Sequence, residues 1–179
     1  MSHKVVNTTR KDWYLVREGE ETAKAAIQTG ELVIIDPAGA DADGNKLIPL
    51  PTASAILPMA IHLADGQPRP NDGAIWGDSA DDPENYIYTI GETVQRVQTF
   101  QGEWYNVWVR NDSAVTPLTL VRGDRLKPST TTPGHMEVVT PDEATLAGVV
   151  DLKNSPFIVK EPGADVATES SSFVLVERV

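Results

Sequence analysis

Short apolar runs rich in Val, Ile, Thr and aromatic residues alternate with glycine and proline along this chain. Runs of this kind, bounded by turn-forming residues, are typical of β-strands. Their number predicts an all-β fold, a small barrel or sandwich of mainly antiparallel strands with long loops. The pattern leaves room for one short helix at residues 141–146, where Thr140 and Glu143 have capping-box spacing. The candidate strands are residues 32–36, 56–63, 86–90, 93–100, 103–110, 118–121, 136–140, 146–151, 157–160 and 172–177.

The clearest pair of strands is residues 93–100 and 103–110, separated by Gln101 and Gly102. Glycine in the second place of a two-residue loop supplies a positive φ, so this pair predicts a β-hairpin. Side chains alternate along a strand, and we expect both faces of the second strand to be largely buried. One face has Trp104, Asn106 and Trp108, and the other has Tyr105, Val107 and Val109.

Three stretches, residues 29–33, 90–94 and 122–126, place a glycine and then an acid between apolar positions. Glycine permits a tight reversal of the chain there, and the acid stays in water at the turn. Such turns recur in β proteins generally. We therefore interpret the repeat as support for β architecture rather than as a sign of duplication.

The first part of the chain differs from the rest. Residues 1–22 show no convincing alternation, and we interpret them as an N-terminal arm that precedes a single β domain at residues 23–179. Residues 66–82 predict a long acidic loop within that domain. The arm is slightly basic while the domain is acidic, so we expect it to reach an acidic surface. Its candidate partner-binding residues are Arg10, Lys11, Trp13, Tyr14 and Arg17.

The amino-acid composition excludes several kinds of site and partner. The 179 residues include 15 basic and 26 acidic side chains, for a net charge of −11, and no cysteine. The absence of cysteine excludes disulfides, thiolate zinc sites and cysteine nucleophiles. The acidic balance argues against nucleic acid as a partner, because binding to phosphates needs Lys and Arg. No apolar stretch is long enough for a membrane span, and the N-terminal residues do not resemble a signal peptide, so we expect synthesis in a cytosol and no membrane.

Residue types that carry catalysis are sparse. His3, His62 and His135 are the only histidines, and none has the spacing of a metal site. Nucleophile-elbow and phosphate-loop motifs are also absent from the sequence. We therefore expect no metal, no cofactor and no enzymatic activity.

Three tryptophans are the remaining candidates for a site. Trp76 lies in the long acidic loop, and Trp104 and Trp108 lie on one strand face. They are interpreted either as aromatic residues of a core or of a seam between subunits, or as a platform on which sugar rings stack.

The sequence from residue 23 to 179 resembles the small all-β decoration, or cement, proteins of tailed-phage heads. The resemblance implies a non-enzymatic virion protein, often trimeric, that binds the outer capsid surface and clamps adjacent major capsid proteins. It does not extend to the arm or to residues 66–82. The segments that carry it are IQTGELVIID (27–36), VRGDRL (121–126), GHMEVV (134–139), LAGVV (146–150) and FVLVE (173–177).

Two other classes of function stay open. A carbohydrate-binding or host-recognition β module is the main alternative, and Trp76, Trp104 and Trp108 would be its ligand platform. An enzyme is the third possibility, and it would require a cleft that gathers His62 or His135 with two carboxylates.

Overall fold

The computed structural model describes residues 17–18, 21–38, 44–52, 60–65, 86–139, 155–160 and 165–179. This part of the chain contains fifteen strands and no helix, which confirms the all-β prediction. In chain order the strands are β1 (Arg17–Glu18), β2 (Thr22–Ala23), β3 (Ile27–Gln28), β4 (Leu32–Ile35), β5 (Lys46–Pro49), β6 (His62–Ala64), β7 (Ile87–Tyr88), β8 (Arg96–Gln98), β9 (Trp104–Asn111), β10 (Leu118–Thr119), β11 (Arg125–Pro128), β12 (Met136–Val138), β13 (Phe157–Val159), β14 (Asp165–Val166) and β15 (Ser170–Arg178).

The strands form two main units. A six-stranded sheet has the order β1-β8-β6-β4-β5-β2, and a closed barrel has the order β11-β12-β9-β15-β13. Two ribbons, β3-β7 and β10-β14, complete the described structure. All pairs are antiparallel except β2 with β5 and β12 with β9.

The barrel is built on its longest pair of strands, β9 and β15. These two strands are in register over eight residue pairs, from Ser170 opposite Asn111 to Glu177 opposite Trp104. Tyr105, Val107 and Val109 point into the barrel and are almost completely buried, as the alternation predicts. The opposite face is not fully buried, because Trp104 remains 43% exposed.

The six-stranded sheet is covered on both faces. Leu32, Leu63 and Val97 belong to the same hydrophobic cluster as the barrel interior, so the sheet and the barrel share one core. On the other face, Val33 packs in a second cluster that includes Ile27 and Tyr88 of the β3-β7 ribbon, among other buried residues. Neighbouring residues of β4 thus serve different cores, as strand alternation requires.

The sheet curls so that its edges approach each other. Strands β1 and β2 lie at opposite edges, yet the four residue-to-residue steps from Glu18 to Thr22 span at most about 14 Å. Five spacings in a flat sheet would require about 24 Å. Hydrogen bonds from Val94 N–H to the Glu21 carbonyl oxygen (2.9 Å) and from Ala23 N–H to the Glu92 carbonyl oxygen (2.8 Å) join the two edge regions.

The hairpin prediction for residues 93–100 and 103–110 is wrong. The Gln101–Gly102 turn forms, with a 3.2 Å hydrogen bond from Glu103 N–H to the Phe100 carbonyl oxygen. However, β8 pairs with β1 and β6, whereas β9 pairs with β12 and β15. The turn therefore leads the chain from the sheet into the barrel. Strand β9 pairs with β15 along its whole length, and this pairing buries Tyr105 and its neighbours. A local hairpin with β8, which has only three residues, would leave most of β9 unpaired.

Some of the other predictions from the sequence concern described residues, and some concern residues outside the described ranges. Arg17, assigned to the arm, belongs to β1 at an edge of the sheet. Strands β1, β2, β3, β5, β11 and β14 are not among the strands predicted from the sequence. The possible helix at 141–146, the strand at 146–151 and the acidic loop at 66–82 lie outside the described residues.

Candidate functional site

The first glycine-acid repeat forms a tight turn between β3 and β4. Gln28 N–H donates a 3.0 Å hydrogen bond to the Glu31 carboxylate, and Glu31 N–H donates a 3.1 Å bond to the Gln28 carbonyl oxygen. Gly30 has a φ of 85°, a backbone conformation that is strained for a residue with a side chain. The acid therefore accepts a backbone hydrogen bond within its own turn.

The other two repeats form the same turn. Glu92 accepts from Thr89 N–H at 2.9 Å, and Asp124 accepts from Val121 N–H at 2.7 Å. In both turns, the backbone N–H of the acid donates a 3.0 Å hydrogen bond to the carbonyl oxygen of the first residue of the turn. The sequence repeat thus predicts a repeated local structure, in which part of the acidic composition stabilises turns.

Trp108 lies where the barrel meets the first of these turns. Its indole N–H donates a 2.7 Å hydrogen bond to the Thr29 carbonyl oxygen. Its ring stacks on His135, with ring centroids 6.0 Å apart, and packs at 5.1 Å against Phe173. The Trp108 side chain is therefore engaged within the chain, at the contact between the two units.

His135 links three segments at the same place. Its Nδ1 lies 2.9 Å from Ser171 Oγ on β15, and its Nε2 lies 3.3 Å from Glu31 Oε1 in the first turn. The His135 and Glu31 side chains are only 11% and 12% exposed. Among the described residues one carboxylate contacts His135, and that carboxylate already accepts the Gln28 N–H. This arrangement fixes the turn on the barrel.

Trp104 lies at the other end of β9, on the outer face of the barrel. Paired residues in adjacent strands point to the same side, so the register places Trp104, Glu177, Ile158 and Arg125 in one outer row. The Lys160 ammonium lies 5.3 Å from the Trp104 ring centroid and forms an ion pair with Glu177. An aromatic ring and several charges therefore meet on an accessible surface.

The third turn lies beside this face, against β13. Gly123 N–H donates to the Val159 carbonyl oxygen, and Val159 N–H donates to the Asp124 carbonyl oxygen, both at 2.9 Å. These bonds hold the turn against β13, which leaves Val121 58% exposed and Arg122 exposed. We call this region the Trp104 surface, and it consists of Trp104, Val121, Arg122, Arg125 and Lys160.

A second apolar group lies on the β3-β7 ribbon. Tyr86, Ile87 and Ile90 are 37%, 52% and 76% exposed. The Tyr86 ring packs edge-on against Tyr88, and its hydroxyl donates to the Glu92 carboxylate. The Tyr86 side chain is therefore held within the ribbon. We call Tyr86, Ile87 and Ile90 the ribbon surface.

The structure describes only one of the remaining predicted site residues. Arg10, Lys11, Trp13, Tyr14 and Trp76 lie outside the described residues, and Arg17 lies in β1. Val121, Arg122, Arg125 and Lys160 were not predicted as site residues. The glycine-acid repeat located the turn that holds Val121 and Arg122. The contact of this turn with β13, and the register that places Arg125 in the same outer row as Trp104, leave no sequence signal.

Metal-ligand clusters and membrane-spanning helices are absent over the described ranges. No three potential metal-ligating side chains cluster there, and no helix long and apolar enough to cross a membrane is present there. No protein-family model matches the sequence, and no curated protein matches it significantly. The fold defines an all-β protein in which a closed five-stranded barrel and a curled sheet share one core.

Proposed function

We propose that this chain is a structural virion protein that binds the outer surface of a phage capsid and clamps adjacent major capsid proteins. The observation that carries the proposal is the presence of two exposed apolar groups on separate units, the Trp104 surface on the barrel and the ribbon surface beside the sheet. A clamp needs two contact surfaces, and exposed apolar groups mark sites that other proteins cover.

A homotrimer is part of the proposal, as the resemblance to decoration proteins implies. The arm residues Arg10, Lys11, Trp13, Tyr14 and Arg17 provide a further contact with the capsid or with a neighbouring copy. Light scattering coupled to size-exclusion chromatography measures the oligomer directly. A monomer at every concentration would remove the trimer from the proposal and leave capsid binding to be tested separately.

Capsid binding is tested by adding the purified protein to phage heads that lack it. A protein that binds only the assembled state stabilises it by mass action, by about 2.7 kcal/mol when its free concentration is 100 times Kd. We expect the protein to co-sediment with the heads and to raise their disruption temperature. Protein that stays in the supernatant with both unexpanded and expanded heads would overturn the proposal.

A matched pair of variants tests the two surfaces. Ile87→Ser with Ile90→Ser removes apolar side chains from the ribbon surface, whereas Val115→Ser removes one that is 84% exposed in a different loop. We expect the double variant to lose head binding and Val115→Ser to retain it. Equal binding by the two variants would show that the ribbon surface is not a capsid contact.

Carbohydrate binding is the second candidate function, and the exposure of Trp104 beside Glu177 and Lys160 favours it. An exposed indole beside charged hydrogen-bonding groups is suited to a sugar ring. Reproducible binding on a glycan array that is lost in Trp104→Ala would support this function. Trp108→Ala is less informative there, because Trp108 packs within the chain.

A further inference from the structure

We propose that the Trp104 surface binds a carboxylate-rich segment of the capsid protein, with Arg122 and Arg125 as the residues that recognise its acidic side chains. This inference rests on the proposed function, and it specifies the chemistry of one of the two clamp surfaces.

The distribution of ion pairs separates these two arginines from other cations of the chain. Across the described ranges, ion pairs join Lys24 to Asp36, Arg96 to Glu21, Arg110 to Asp112, Lys127 to Glu137 and Lys160 to Glu177. Arg122 and Arg125 are both exposed, and neither has an ion pair with a residue in those ranges. In a chain with a net charge of −11, these two exposed arginines, with one acid (Asp124) between them, give a short segment with a net positive charge.

The carboxylates near these arginines are already engaged. Asp124 accepts the Val121 N–H at 2.7 Å within the turn, and Glu177 pairs with Lys160. A guanidinium group binds a carboxylate through two parallel hydrogen bonds, and two guanidinium groups on one face select for a partner with several acids. Arg122 and Arg125, unlike Lys160, are therefore available to an acidic partner.

The apolar part of the surface favours a protein partner over an anionic glycan. Val121 is 58% exposed, and Ile158 lies in the same outer row as Trp104. Aliphatic side chains add apolar area that another protein can cover, and Trp and Arg are common at the centres of protein interfaces. One side of the Trp104 ring is also approached by the Lys160 ammonium, which leaves less of the ring for a stacked sugar.

The test compares two variants that change the charge equally. Arg122→Gln with Arg125→Gln removes two positive charges from the Trp104 surface. Ala114→Glu with Val115→Glu also shifts the net charge by two, at exposed positions beyond the opposite end of β9. Circular dichroism and size-exclusion chromatography establish that both variants fold.

Binding is measured with three probes: immobilised poly-L-glutamate, immobilised heparin and phage heads. We expect the wild-type protein to bind poly-L-glutamate in a salt-dependent way, and the double arginine variant to lose about tenfold or more in affinity. The Ala114→Glu, Val115→Glu variant should stay within about twofold of wild type. Equal affinities for all three proteins, or a preference for heparin that depends on the same arginines, would overturn the inference.

Binding to phage heads distinguishes failure of this inference from failure of the proposed function. If wild-type protein and the double arginine variant bind heads equally well, the inference fails and the capsid function stands. If the wild-type protein binds poly-L-glutamate through the two arginines but never binds heads, the capsid function fails and the recognition of acidic segments stands.

Discussion

The indole N–H of Trp108 donates a 2.7 Å hydrogen bond to the carbonyl oxygen of Thr29, a residue 79 positions away in the sequence. The bond joins the middle of β9 to the turn that precedes β4, so it connects the barrel to the six-stranded sheet. Trp108 also packs against His135 and Phe173. One side chain thus combines an apolar contact with a polar one at the place where the two units meet.

Replacing Trp108 with Ala should lower the free energy of unfolding by about 3 to 5 kcal/mol, because it removes a large packed ring. Trp108→Phe keeps an aromatic ring but loses the hydrogen bond to Thr29, and it should cost less, although the Thr29 carbonyl loses its donor. Urea unfolding measures both values, and size-exclusion chromatography run in parallel reports the oligomer. If Trp108→Ala unfolds at the wild-type urea concentration and keeps the wild-type oligomer, the contact does not stabilise the fold.

Two glycines in equivalent turns provide a matched comparison. Gly30 and Gly91 have φ values of 85° and 86°, so alanine strains the backbone equally at both. A Cβ at Gly30 would overlap the Phe173 ring, whereas a Cβ at Gly91 has nothing within 4 Å. Gly91→Ala should therefore cost about 1 to 2 kcal/mol, and Gly30→Ala about 1 to 3 kcal/mol more. Thermal unfolding of the two variants measures the difference, and equal losses would show that the Phe173 contact gives way without cost.

Stability should fall at alkaline pH because of Tyr88. Burial raises the pKa of the Tyr88 phenol, and the nearby Asp65 carboxylate raises it further, against the opposing hydrogen bond from Gln95 N–H. The folded protein therefore holds this proton more tightly than the unfolded chain does. The resulting stabilisation is complete below the unfolded pKa of about 10 and is lost as the pH rises above it.

Urea unfolding at a series of pH values from about 8 to 11 tests this dependence. The midpoint should decline less steeply in Tyr88→Phe, which has no phenol proton at this position. Tyr86→Phe is the control, because Tyr86 is 37% exposed while Tyr88 is 4% exposed. A decline in Tyr88→Phe as steep as in wild type would assign the alkaline loss to other groups.

The N-terminal residues should contribute to attachment. Deletion of residues 1–9 leaves Arg10, Lys11, Trp13 and Tyr14 in place, and we expect it to leave co-sedimentation with phage heads nearly unchanged. Deletion of residues 1–16 removes those four residues but keeps β1, so the protein should fold and bind heads more weakly. Equal co-sedimentation of both deletions and the full chain at moderate salt would show that these residues are not a contact.

Local alternation predicted the inner face of β9 but not the partners of the strand. Tyr105, Val107 and Val109 have period-two spacing, which is a property of the strand itself, and burial in the barrel confirms it. The pairing with β15 depends on residues 170–178, far along the chain. A two-residue loop with glycine favoured a hairpin, and the larger burial available in the barrel overrode that local preference.

Strand β11 escaped prediction because its residues are poor β formers on their own. Arg125, Lys127 and Pro128 are three of its four residues, and only Leu126 marks it as apolar. Pairing with β12 holds it, and the Lys127 ammonium lies 3.3 Å from the Glu137 carboxylate on that strand. Of the Trp104 surface only Trp104 is predicted from the sequence, for a different reason: the other residues come from separate segments that only the folded chain arranges around the barrel.

Closure of the barrel sets a time order on synthesis. Strand β15 follows the other four barrel strands in sequence, and it is the strand that bridges β9 and β13. The chain must therefore emerge from the ribosome as far as residue 178 before the barrel can close. Until then, Val107, Val109 and Phe157 remain exposed to water. Nascent chains with such exposed apolar strands aggregate or are degraded. A copy that terminates before β15 is complete should therefore be degraded in the cell.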